Sequence, residues 1–260
     1  MKSTEEINKS RLFKKLCRKA GKTILENALI SSGDRLLVGL SGGKDSLVLL
    51  ELLEDRRKAV PFVFEIFAAH IKITDSGYSA DEQYLNNFCQ SLNIPLIFES
   101  AIAGISDNND KSPCFLCSWH RRKKLFDLTK KLNCNKLSFG HHRDDALETF
   151  MMNLLYHGSV SSLPYDLKMF NGRIHLIRPL LDIWENEIEE YSRLRNFKAI
   201  DKACEFENKT KRKFVRSLID EINSHYPKSK INMFKALGNL YPEYLPFNDK
   251  ELKKSLSDTV

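Results

Sequence analysis

The segment Ser41-Gly42-Gly43-Lys44-Asp45-Ser46 stands between a short apolar run at 36–38 and an amphipathic stretch at 46–53. That order is the pattern of a buried strand, a tight turn and a helix N-terminus. Glycines let the backbone approach an anion closely, and the first N–H groups of a helix lack partners within it. With the helix dipole and the Lys44 ammonium they make a site of phosphate size. Neither the four-residue gap of a Walker A loop nor the G-x-G-x-x-G of a dinucleotide fold is present.

Cys114 and Cys117 form a C-x-x-C between a loop and a helix start, followed by the cationic run Arg121-Arg122-Lys123-Lys124. Two thiolates at that spacing bind one metal or metal cluster, or form a redox pair. Cys204 stands in an irregular stretch between helical segments, and Glu207 occupies the position that would complete a second C-x-x-C. Cys17, Cys89 and Cys134 fall on amphipathic or strand-edge segments, where packing accounts for them. Gly140-His141-His142-Arg143-Asp144-Asp145 follows a strand and precedes a helix at 146–157. Its adjacent carboxylates suit Mg²⁺ beside a nucleotide, general acid–base chemistry, or plain capping of that helix.

These groups need a scaffold that gathers them. Strand-like runs at 62–69, 95–98 and 136–139 alternate with amphipathic segments near 79–91 and 118–132. The pattern predicts an α/β fold, a mostly parallel sheet with helices on both faces. Ligands of such sheets sit at the carboxyl ends of the strands, which puts 41–46, 70–74 and 140–145 on one rim. After a strand at 174–180 the pattern turns helical, at 184–195, 210–223 and 230–240. Three parts are expected: a basic helical extension at 1–33, a nucleotide-binding α/β domain with the C-x-x-C at 34–180, and a helical region with Cys204 at 181–260. The polar run 107–112 reads as a mobile loop.

With 42% hydrophobic and 29% charged residues, the 260-residue chain supports an ordinary core. It lacks the apolar run of about 18 residues that a membrane span needs. The N-terminus lacks the apolar centre of a signal peptide, so a cytoplasmic location without membrane attachment is expected. There the six cysteines read as thiols and metal ligands rather than disulfides. The net charge of +7 favours a polyanionic partner. Basic clusters at 121–124, at 209–213 with Arg216, and at Lys14, Lys15, Arg18, Lys19 and Lys22 flank the expected rim, as an RNA track would.

The SGGKDS segment resembles the PP-loop signature of the N-type ATP pyrophosphatases. Adding CxxCSxxRR at 114–122, GHHRDD at 140–145, IRPL at 177–180 and Cys204, the chain resembles the tRNA 2-thiocytidine synthetase (TtcA) family from about residue 15 to about 245. GMP, argininosuccinate and lysidine synthetases share the loop but lack the cysteine set. The resemblance implies an adenine nucleotide alpha-hydrolase-like fold that binds ATP and Mg²⁺ through Ser41, Gly42, Gly43, Lys44, Asp45, Ser46, His70, Gly140, His141 and Asp145. It implies a [4Fe–4S] cluster on Cys114, Cys117 and Cys204, with one iron open to carry sulfur.

Asp144 and Arg121 match positions that relatives use in catalysis, and Lys44 would join them. An arginine cannot pass on a proton as a lysine can, so Arg121 is read as charge stabilisation or phosphate contact. The implied reaction adenylates the C2 oxygen of cytidine 32 in tRNA, after which sulfur displaces AMP. A cysteine desulfurase or sulfide would donate the sulfur, and a homodimer is the assembly that relatives often form. Two departures stand out: Lys72, where relatives are usually acidic, and Glu207. Rival readings are thiolation of a tRNA uridine, a lysidine-type ligase, and a non-catalytic Fe–S module that binds RNA.

Overall fold

The computed structural model describes residues 6, 10–76, 79–104, 112–198 and 211–244. Cys204, Glu207, the expected loop at 107–111 and the residues beyond 244 lie outside them. The sheet holds β1 (Arg35–Gly39), β2 (Glu65–Ile73), β3 (Leu96–Ala101), β4 (Lys136–Ser138), β5 (Asp166–Met169) and β6 (Ile174–Ile177). Helices among the described residues are α1 (Arg11–Glu26), α2 (Lys44–Ala59), α3 (Glu82–Ser91), α4 (Pro113–Lys131), α5 (Arg143–His157), α6 (Glu185–Arg195), α7 (Lys211–His225) and α8 (Ser229–Ala236).

The strands order as β3-β2-β1-β4-β6-β5, parallel throughout except for β5 against β6. Side chains of β1 alternate between faces, and each face finds its own helices. Leu36 and Val38 pack with α1, α2, α3 and α6, while Leu37 packs with Leu125 and Leu128 of α4. The central strand is therefore buried on both sides, which is why it reads as a continuous apolar run. Helix α2 is buried beyond one stripe: Leu47, Val48, Leu49 and Leu50 are all inaccessible. A smaller cluster joins Leu147 and Met151 of α5 to Val215 and Ile219 of α7.

The expected α/β architecture with helices on both faces is present, and three of the differences in detail have a clear physical cause. Strand β2 runs to Ile73, four residues past its expected end, because its pairing with β3 continues to Ile73 against Ala101. Strand β5 was not expected; it is a short, half-exposed edge strand turned back through Phe170, Asn171 and Gly172 at φ 53°, 58° and 78°. Helix α4 starts at Pro113, earlier than expected, because Ser112 caps it by accepting from the Phe115 N–H and Pro113 fits the first turn. Cys114 and Cys117 therefore sit one turn apart on that helix.

After β3 the chain crosses back over β1 to form β4, so the winding reverses between β1 and β4. In open sheets ligands occupy the crevice outside the strands at this point. Here the crevice is walled by the turn after β1 and the loop after β4.

Candidate active site

Gly42 adopts φ 83°, a conformation that side chains resist, and turns the chain from β1 into α2. The Gly43 N–H donates to Ser41 Oγ at 3.2 Å, and Ser46 Oγ donates to the Gly43 carbonyl at 2.9 Å. Gly43 caps α2 with no side-chain bond, so the helix N-terminus is left for an external anion. Gly140 is bound to this turn by space: a Cβ there would lie 2.9 Å from the Asp45 carbonyl carbon and oxygen. The loop after β4 thus runs directly against the first turn of α2.

A cavity of about 690 Å³ opens at this crevice. Ser41, Asp45 and Ser46 line it from the turn, His70 from β2, and Gly140, His141 and Asp145 from the loop and helix after β4. Cys114, Cys117 and Arg121 line it from α4. Gly42, Gly43, Lys44 and Asp144 do not. Lys72 also lies off the cavity, exposed and 3.4 Å from Glu82.

Lys44 instead donates to Glu185 at 2.9 Å, with Asp45 3.4 Å away. Burial works against its charge, but Asp45 and Glu185 outweigh it and hold the ammonium above its ordinary value. Asp144 accepts from the Glu185 N–H at 2.8 Å and from Lys230 at 3.3 Å, beside a second cavity of about 90 Å³. The two neighbouring aspartates therefore face different surroundings.

Asp145 both lines the cavity and caps α5. Its carboxylate accepts from the His142 N–H at 3.0 Å, while its own N–H donates to His142 Nδ1 at 3.4 Å. Burial raises the Asp145 carboxyl, yet His142, His141 and Arg212 bring it below its ordinary value. It stays ionised at neutral pH, as a cation ligand must. Burial pushes the His141 imidazole down to about 4; Asp145 resists this, and Arg178, Arg212 and Arg122 add to it. Its Nδ1 is buried with no hydrogen-bond partner. His70 is 2% exposed and donates from Nδ1 to the Leu40 carbonyl at 2.8 Å, with burial lowering its pKa. Both rings are neutral at pH 7.

Arg178 and Ser118, which sequence reasoning did not assign a role, also line the cavity, as do Arg122 and Arg212 from the basic clusters expected to flank the rim. The IRPL landmark held a signal for Arg178, an arginine closing a buried strand. The basic clusters are partly neutralised within the fold. Lys15 and Lys19 pair with Glu187 at 2.7 and 2.6 Å, and Arg212 and Arg216 pair with Glu148 at 3.4 and 2.6 Å.

Cys114 is exposed and Cys117 half-buried, three residues apart on one helix and both on the cavity. Side chains at that spacing share a helix face, so both thiolates can reach one metal or cluster. Among the described residues no third ligand joins them, and Cys204 lies outside that set.

A family model described as a PP-loop domain matches residues 11–222. The tRNA-cytidine(32) 2-sulfurtransferase of Paraburkholderia phytofirmans is 34% identical over 93% of this chain and 73% of its own length. The tRNA-cytidine(32) 2-sulfurtransferase 1 of Francisella tularensis subsp. tularensis is 34% identical over 96% of this chain and 94% of its own. Among solved structures, the U34-tRNA thiolase NcsA from Methanococcus maripaludis, described with its [4Fe–4S] cluster, superposes with a TM-score of 0.72. It is 25% identical, over 87% of this chain and 78% of its own. Phosphate-cradle turn, paired thiols and shared cavity agree with these likenesses: the chain belongs to the PP-loop proteins and, within them, to the tRNA-cytidine(32) 2-sulfurtransferase (TtcA) family.

Proposed function

We propose that the chain is an ATP-dependent tRNA sulfurtransferase that replaces the C2 oxygen of cytidine 32 with sulfur. One observation carries this reading: the PP-loop serines and the C-x-x-C thiols line a single cavity. Activation and sulfur delivery can thus act on one base without its release between them.

The N-terminus of α2, with Ser41 and Ser46, takes the β,γ-phosphates of ATP, and the nucleoside lies toward His70 on β2. Asp45 and Asp145 offer the cavity's carboxylates to Mg²⁺. The base oxygen attacks the α-phosphorus, pyrophosphate leaves, and Arg121 stabilises the charge that builds on the phosphoryl oxygens. The original oxygen departs as part of AMP. Neutral His141 and His70 place no competing positive charge beside the base. Cys114, Cys117 and Cys204 would hold the [4Fe–4S] cluster, which supplies a sulfur atom to the activated carbon when bound. Sulfide, or a cysteine desulfurase together with a thiol reductant, would supply that sulfur at the oxidation level it keeps in the product. The target base must leave its stack to reach the cavity floor.

The experiment compares thionucleosides in tRNA from a strain lacking the gene, complemented by wild type or by Cys114→Ala. Loss of 2-thiocytidine, restored by wild type and not by the variant, is expected. Intact 2-thiocytidine with missing 2-thiouridine would favour a uridine substrate, as the name of the Methanococcus maripaludis thiolase suggests. Full rescue by Cys114→Ala would favour a ligase that needs no cluster.

A further inference from the structure

Arg178 follows the last residue of β6 and is 5% exposed, yet lines the cavity. Its Nη1 donates to the Pro164 carbonyl at 2.6 Å, while its Nε is buried with no hydrogen-bond partner. Arg122 of α4 lines the same end and donates from Nη2 to Ser118 Oγ at 2.6 Å. Among the described residues neither guanidinium has a carboxylate within 4.0 Å. Arg212 approaches from α7 and is spoken for by Asp145 and Glu148, each 3.4 Å away.

This convergence works against the fold. Burial and the charge of Arg122 push Arg178 down to about 10 against the weaker opposing charge of Asp166, and partial burial and the charge of Arg212 lower Arg122. A buried cation such as Arg178, with no carboxylate in contact among the described residues, costs stability, and an anion arriving between it and the exposed Arg122 would relieve that cost. The planar guanidinium fork fits the oxygens of a phosphate.

Two phosphate-bearing substrates, ATP and RNA, enter the proposed reaction, and the strand order separates their sites. His70 on β2 and the turn after β1 mark the track of ATP. Arg178 lies past β6, two strands beyond β1, or about 10 Å at ordinary strand spacing. The loop Gly140-His141 stands between. Resting on the reading of the chain as a tRNA-modifying enzyme, we propose that Arg178 and Arg122, steadied by Ser118, form a second oxyanion subsite. It grips a phosphodiester of the RNA beside the nucleotide being modified, while the phosphates of ATP stay at the N-terminus of α2. The grip holds the extruded nucleotide with its base toward the PP-loop and the thiols.

The test uses the full chain as wild type, Arg122→Gln and Arg178→Lys. Arg122 is exposed enough for its replacement to leave folding intact. Affinity for unmodified tRNA is measured across a salt series, and affinity for a non-hydrolysable ATP analogue is measured separately. Both variants should weaken tRNA about tenfold. Arg122→Gln, which removes a charge, should also flatten the salt slope by about one phosphate contact. Arg178→Lys, which keeps the charge and loses the fork, should leave the slope nearly unchanged. ATP-analogue affinity should move less than twofold. A tenfold loss for the analogue with an unchanged tRNA slope would assign the arginines to ATP and overturn the proposal, as would no change in either affinity.

Inorganic phosphate titrated into the chain saturated with the ATP analogue separates this proposal from the functional reading. Phosphate binding present in wild type and lost in both variants supports the subsite even if tRNA does not bind. In that case the tRNA reading falls alone. Phosphate binding that survives both substitutions overturns the subsite while leaving the sulfurtransferase reading in place.

Discussion

Gly140 and His70 show how single residues hold the two walls of the cavity together. A methyl group on Gly140 would enter the backbone of Asp45, which cannot yield as a side chain tip can. Gly140→Ala is therefore expected to cost about 1–3 kcal/mol in urea unfolding and to weaken ATP binding, both from displacement of the first turn of α2. The His70 bond to the Leu40 carbonyl ties β2 to the chain entering the PP-loop. Its folded pKa lies below the ordinary 6.5, as does that of His141. A depressed histidine binds its proton more readily when unfolded, so stability is full above about pH 6.5 and falls as pH drops toward 4. Unfolding titrations at pH 7 and pH 5 should show this slope, and His70→Asn, which keeps a donor for Leu40, should reduce it. The SGGKDS turn was legible because its function is local, written in adjacent residues. Arg178 was not, since its place in the cavity depends on where β6 joins the sheet.

Helix α2 is held at its middle by an element far away in sequence. Glu51, 5% exposed, accepts from Tyr191 Oη at 2.7 Å and from Arg195 Nε at 3.0 Å, both on α6. Glu51→Ala would leave a buried hydroxyl and a guanidinium without their acceptor. A loss of about 3–5 kcal/mol in denaturant unfolding is expected, with Tyr191→Phe costing much less. The parallel strands could be read from their apolar runs, and the helices from capping signals and breaks. Strand β5 could not, because half its residues face solvent and only pairing with β6 makes it a strand. The start of α4 was obscured by the proline, which reads as a break and acts as a first-turn residue. That shift carries the thiols from a loop onto a rigid element, where their spacing is held.

At the scale of the whole molecule, the described cysteines divide by burial along the line their sequence context drew. Burial pushes Cys89 up to about 12, and Cys134 up to about 11, while burial and Asp55 raise Cys17. Thiolates are the reactive form, so iodoacetamide applied to the native, metal-free chain should label Cys114 and Cys117 well ahead of those three, as read by peptide mass spectrometry. Comparable labelling of Cys89 would contradict the packed core. The three-part division expected from the sequence meets one core in which α1 and α6 share apolar contacts with α2 and the central strands. Composition marks basic and helical stretches but carries no record of which faces meet.

The contact of Lys44 with Glu185 makes the PP-loop lysine a shared resource. That one ammonium sits between the turn after β1 and the start of α6, whose N–H at Glu185 is held by Asp144 and so by Lys230 of α8. A nucleotide that recruits Lys44 must take it from Glu185, leaving the carboxylate to Arg216, 3.5 Å away. Competition of this kind is reciprocal: whatever strengthens the Lys44–Glu185 pair weakens the hold on a nucleotide, and the reverse. Glu185→Gln should therefore tighten the ATP analogue several-fold in calorimetry while loosening α7, which loses the carboxylate facing Arg216, in hydrogen exchange. Occupancy at the phosphate cradle and the pairing of Glu185 with α7 would then be two readings of one equilibrium.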